Sequence, residues 1–121
     1  MAHKIGPHDA LILRVDYFGE VGYRERCVAL TDAAGVMSRD GYTRLLVDFT
    51  HANVHEEHNG SRADYIASVI TAPWPDRSRI APLNAPPFAV QGGRIAGTSR
   101  GLLVKGFDDE DLAIAWLVST P

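Results

Sequence analysis

Thr43-Arg44-Leu45-Leu46-Val47-Asp48-Phe49 is the stretch on which the fold turns. It is a short apolar run flanked by polar residues, and it follows directly on a helical pattern. Such a run reads as a buried strand of a parallel sheet. The helical pattern before it covers 22–38. Tyr23, Cys27, Leu30, Ala34 and Met37 recur there at alternating intervals of four and three, which puts them on one face. Gly41 is a natural helix stop. Upstream, Ala10 to Phe18 begins as an apolar run and then alternates, as a strand does. Strand, helix and strand make a βαβ unit with a right-handed crossover.

The same reading extends outward. Residues 3–6 are expected to pair with the first long strand across the Pro7-His8-Asp9 turn, as an antiparallel edge. Residues 50–60 are polar and read as a loop. Ser61, with Asp64 three residues on, opens a helix that turns Ala63, Ile66, Ala67 and Ile70 inward and stops before Pro73. A short strand is expected at 79–81, a short helix at 91–99 and a last strand at 101–107. Asp108 is expected to cap a closing helix with Asp109, Glu110 and Asp111 in its first turn and Leu112, Ile114, Ala115, Trp116 and Leu117 on its core side. The predicted order is ββαβαβαβα. This is one α/β domain spanning 1–121, with a mostly parallel sheet of four to five strands, an N-terminal hairpin edge and about four helices.

Composition narrows the function classes. The chain has 121 residues, 45% hydrophobic and 22% charged, enough for one core and too ordinary for disorder. A formal net charge of −3, with arginines scattered along the chain, lacks the basic footprint of a nucleic-acid binder. A lone cysteine, Cys27, excludes an intrachain disulfide and lies on the apolar helix stripe as a structural thiol. The first seven residues hold no apolar signal core, and no apolar run approaches the ~20 residues of a membrane span. A cytoplasmic protein is expected.

Three stretches resemble a known family. Gly19-Glu20-Val21 leads from a strand into the first long helix. Leu45-Leu46-Val47-Asp48-Phe49 is a strand ending in Asp and a hydrophobe. Phe107-Asp108-Asp109-Glu110-Asp111-Leu112-Ala113-Ile114-Ala115-Trp116-Leu117 resembles a closing "F-D-x-E-x-A-x-x-W-L" helix. Together with the element order, these resemble the STAS domain, and within it the SpoIIAA-like group, an anti-sigma-factor-antagonist fold related to Sec14-type lipid-binding domains. The resemblance implies a SpoIIAA-like fold and a regulatory role through protein contact. It also implies a phosphorylatable serine in an Asp-Ser-Ser/Ala-Gly-type turn after the Asp-ended strand. The corresponding stretch here is His55-Glu56-Glu57-His58-Asn59-Gly60-Ser61, which holds no Asp-Ser-Gly.

The candidate ligand-binding residues are Asp48, Thr50, His51, His55, Glu56, Glu57, His58 and Trp74. His51, His55 and His58 are four and three apart. On a helix that spacing gathers imidazoles on one face, as in helical zinc motifs. The plainer reading is a solvated polar loop. Its position beyond the carboxyl end of a strand is where open α/β sheets bind ligands. Trp74, between Pro73 and Pro75, is either an aromatic tip lining a pocket or a cover on the core edge. Gln91-Gly92-Gly93-Arg94 lacks the pattern of a phosphate loop. No nucleophile, base and oxyanion set assembles, so no catalysis and no cofactor are expected. The expectation is a regulatory or binding module acting through protein contact. A small-molecule or lipid-binding protein and a metal-binding protein using His51, His55 and His58 are the alternatives, and a homodimer is anticipated.

Overall fold

The structure, a computed structural model, describes residues 2–55 and 60–119, with backbone alone at 60–62. Its elements are β1 (His3–Pro7), β2 (Leu13–Val21), α1 (Tyr23–Asp40), β3 (Arg44–Val54), α2 (Gly60–Thr71), β4 (Arg79–Leu83), α3 (Pro87–Arg100), β5 (Leu103–Val104) and α4 (Glu110–Val118). Both the α/β class and the order ββαβαβαβα are those read from the sequence. The strands stand in the sheet in chain order, β1 to β5. β1 pairs antiparallel with β2, and every later pair is parallel.

Chain order in the sheet fixes the layers. Three successive right-handed crossovers that all step the same way lay α1, α2 and α3 on one face. That face carries the main core, including Leu13, Val15 and Tyr17 of β2 with Leu45, Val47 and Phe49 of β3. α4 covers the other face, where Ala113 and Leu117 meet Ile12, Leu46, Ala81 and Leu83. β3 is thus apolar on both sides, which is why Leu45-Leu46-Val47 reads as a continuous run.

Several boundaries differ from the sequence expectation. The first long strand starts at Leu13 because the Asp9 carboxylate accepts from the Leu11 and Ile12 amides, at 2.8 and 2.9 Å, and holds 9–12 as a turn. It then continues through Gly19, whose φ of 70° favours a residue without Cβ. β3 runs to Val54, so residues 50–54 are strand and not loop. The register slips between Asp16↔Asp48 and Phe18↔His51, which places one extra residue in β3. Leu45, Val47 and Phe49 face the three helices before the slip, and Ala52 and Val54 do so after it.

In α2 the inward stripe is Tyr65 and Val69, with Ala72 just beyond, while Ala63 and Ala67 face solvent. In α4 the buried residues are Ala113 and Leu117. Leu112 and Ala115 are exposed, and Asp109, not Asp108, caps the helix by accepting from the Leu112 amide at 3.1 Å. α3 starts at Pro87, because a proline fits the first helical position, where no N–H partner is needed. β5 is only two residues long, with an isolated bridge from Leu83 to Phe107 beyond it. Pro82 of β4 accepts from the Phe107 amide at 2.9 Å but has no N–H to return. No helix among the described residues is long and apolar enough to cross a membrane.

Candidate functional site

Asp48 and Thr50 lie where β3 slips register, and both are tied into the fold. One Asp48 oxygen accepts from the Thr50 amide at 2.8 Å and from the Thr50 hydroxyl. The other accepts from an Arg14 nitrogen at 2.6 Å. The Thr50 oxygen in turn accepts from the Asn84 amide group at 2.8 Å, and the Asn84 backbone N–H donates to the Phe107 carbonyl at 2.8 Å. This chain of bonds laces the middle of β3 to the carboxyl end of β4 and the segment after β5. Arg14 also donates to Asp16 at 2.9 Å and to Glu110 of α4 at 2.8 Å. Three carboxylates therefore converge on one guanidinium and pin α4 to the sheet.

His51 and His55 do not come together. His51 and His55 sit on extended backbone, where four residues span roughly 13 Å, so the helical spacing that would bring two imidazoles to one ion is absent. His55 hydrogen-bonds Glu20, and Asn53 donates to both Glu20 oxygens at 3.1 Å. The result is a surface clasp between β2 and β3. It holds Glu20 below its ordinary value, chiefly through Asn53 and then His55. His51 is exposed. Glu56, Glu57 and His58 lie outside the described residues. Among the described residues no group of three or more His, Cys, Asp or Glu side chains could hold a metal ion. The monotonic strand order also lacks the reversal point that creates a ligand crevice in doubly wound sheets.

Trp74 is a core residue, 3% exposed, whose indole N–H donates to the Val69 carbonyl at 2.8 Å. It also lines a cavity of about 30 Å³ between the sheet and α1–α3. The residue that gives this cavity its chemistry is Arg26, which went unmarked in the sequence. It is 1% exposed, with its guanidinium carbon 4.4 Å from the Tyr23 ring centroid, 4.8 Å from Tyr65 and 5.9 Å from Phe88. Among the described residues, its Nε and Nη2 have no hydrogen-bond partner, and neither does the buried Tyr17 hydroxyl. Burial pushes the Tyr17 phenol well above its ordinary value and Tyr65 up to about 12. A signal was available: Arg26 lies three residues after Tyr23 and four before Leu30, on the apolar stripe itself. Cys27 is half-buried, and burial raises its thiol.

A second concave feature is open to solvent. A groove of about 1120 Å³ runs between α3 and α4 with β5 and the following residues as its floor. Ile95 and Leu103 project from its sides, 44% and 51% exposed, with Arg94 and Lys105 beside them. The Leu103, Lys105 and Phe107 amides donate to Ser78, Ile80 and Pro82 of the β4 side at 3.0, 3.1 and 2.9 Å. The alternate residues Val104 and Gly106 therefore turn their amides away from β4. No strand among the described residues pairs with that side.

No family model matches the chain, and no curated protein matches it. Solved structures do. The anti-sigma factor antagonist SpoIIAA in its unphosphorylated form aligns with a TM-score of 0.60 at 12% identity, covering 98% of this chain and all of that one. The Bacillus cell fate determinant SpoIIAA in the phosphorylated form aligns with a TM-score of 0.53 at 13% identity, over 95% of this chain and 98% of the other. An uncharacterised DUF3478-family protein with a SpoIIAA-like fold from Shewanella loihica aligns with a TM-score of 0.56 at 16% identity, over 96% and 92%. The chain has a SpoIIAA-like fold.

Proposed function

We propose that this chain is a non-catalytic regulatory module that acts by protein contact, taking an extended segment of a partner along the β5 edge. The carrying observation is the groove. It combines an edge strand with outward amides at Val104 and Gly106, two exposed apolar side chains, Ile95 and Leu103, and two cations, Arg94 and Lys105. An added strand gains affinity from main-chain hydrogen bonds and specificity from side-chain pockets. The cations favour a segment carrying acidic residues. The fold likeness to an anti-sigma factor antagonist supports a regulatory role.

Photo-crosslinkers placed at Leu103, Ile95 and, as a distant control, the exposed Leu11 test this reading. A partner captured from the two groove positions and not from Leu11, and lost with Leu103→Glu, supports it. Equal capture from Leu11 contradicts it. The homodimer anticipated from the sequence competes for the same edge. A dimer by light scattering that dissociates with Leu103→Glu would assign the edge to self-association instead.

A small-molecule-binding protein is the second reading. The observation in its favour is the unpaired, buried Arg26 at a cavity. The volume, about 30 Å³, leaves no room for an acyl chain, so a lipid is not part of this reading.

A further inference from the structure

We propose that the cavity beneath α1 is a receptor site for a small free monocarboxylate, from formate to propionate, held by the Nε–Nη2 edge of Arg26 with the Tyr17 hydroxyl as a third donor. This deepens the small-molecule reading and is independent of the β5 edge.

The argument begins with charge. A guanidinium does not deprotonate in a protein, so Arg26 carries its positive charge into the core. A buried charge without a counter-ion is costly. Among the described residues no carboxylate forms an ion pair with Arg26, and Glu25, the preceding residue, pairs with His3 instead. The rings of Tyr23, Tyr65 and Phe88 give partial compensation. An anion would complete it.

The donors also match one shape. Nε–H and Nη2–H lie side by side on one edge of the planar guanidinium, and they are the two nitrogens left without partners among the described residues. Two parallel N–H donors fit the two oxygens of a carboxylate. Tyr17, also unpaired among the described residues, lines the same cavity and adds a hydroxyl donor.

Size and lining set the rest of the ligand. A water needs roughly 10–15 Å³ by this measure, so about 30 Å³ admits a group a few heavy atoms in size. Val47, Ile80 and Leu102 offer apolar contact to a methyl or ethyl group. Water alone could answer the donors without neutralising the charge. Chloride would neutralise the charge without matching the paired donors.

The test uses the whole chain at constant ionic strength. Thermal unfolding is followed with ~50 mM formate, acetate, propionate or hexanoate, each against acetamide and chloride. Methyl-labelled acetate is then used for NMR. The expected result is a rise in melting temperature with formate, acetate and propionate and none with acetamide, chloride or hexanoate. Cross-relaxation from the acetate methyl to the Tyr17 and Tyr65 ring protons is expected as well. Arg26→Lys keeps the charge but loses the fork, and should weaken acetate by about tenfold or more; Tyr17→Phe should weaken it about fivefold. Should Arg26→Lys fail to fold, Tyr17→Phe and the wild-type cross-relaxation decide the matter. Equal shifts with acetate and chloride, no methyl-to-tyrosine transfer, or unchanged acetate binding in folded Arg26→Lys would each overturn the proposal. Leu103→Glu should leave acetate binding intact, so this site and the β5 edge succeed or fail separately.

Discussion

Asp48 shows how a residue with the look of a binding group can be fully occupied by the fold. Its two oxygens take Thr50 on one side and Arg14 on the other, and it is only 7% exposed. Asp48→Ala should lower unfolding free energy by roughly 1–2 kcal/mol, since it removes the acceptor of two Thr50 donors and one of the anions around Arg14. Urea denaturation measures this; a change below ~0.5 kcal/mol would mean that the lacing across β3 and β4 carries no load. The buried tyrosines give a pH signature. Burial raises Tyr17 and Tyr65 above the usual 10, so their neutral forms are favoured in the folded state. The unfolded chain ionises first as pH rises. That stability is therefore complete below pH 10 and falls as pH climbs toward about 12. Tyrosinate absorbance should show Tyr17 and Tyr65 ionising only together with loss of near-ultraviolet dichroism. The sequence marked Asp48 as notable but could not say what it touches, because Arg14 is distant in the chain. Arg26 was hidden differently: an arginine on an apolar stripe reads as a surface residue until its neighbours are known.

At the level of elements, α1 and α3 carry glycines with opposite meanings. A Cβ at Gly35, inside α1, would meet nothing within 4 Å. Gly35→Ala should stabilise by about 0.5–1 kcal/mol through helix propensity. A Cβ at Gly97, inside α3, would lie 2.6 Å from a Val104 methyl. Gly97→Ala should destabilise by about 1–2 kcal/mol despite the same propensity gain, because α3 must retreat from β5. Paired thermal melts check both signs, and a stabilising Gly97→Ala would contradict the close approach. Which elements form was legible from hydrophobic period. Where they end was not, and the causes are local. The register slip in β3 breaks the alternation at Thr50, so a strand reaching Val54 looks finished at Phe49. Pro82 removes a rung of the ladder, so β5 is shorter than its apolar residues imply. Pro87 looks like a loop residue and instead opens a helix.

For the whole molecule, sequential strand order has a functional consequence. With α1–α3 on one face and α4 on the other, the strand order has no reversal point among the described residues, and two concave surfaces stand out, the small cavity under α1 and the groove at the β5 edge. The helical spacing of His51 and His55 does not apply on the extended backbone that carries them, and His58 lies outside the described residues. The central functional claim is that the β5 edge is open and ready to pair. Amide hydrogen exchange on dilute protein, read residue by residue by NMR, tests it most directly. The account predicts alternation: Leu103, Lys105 and Phe107, bonded to the β4 side, exchange slowly, and Val104 and Gly106 exchange fast. Uniform protection from 103 to 107 would contradict it, because the edge would already be covered.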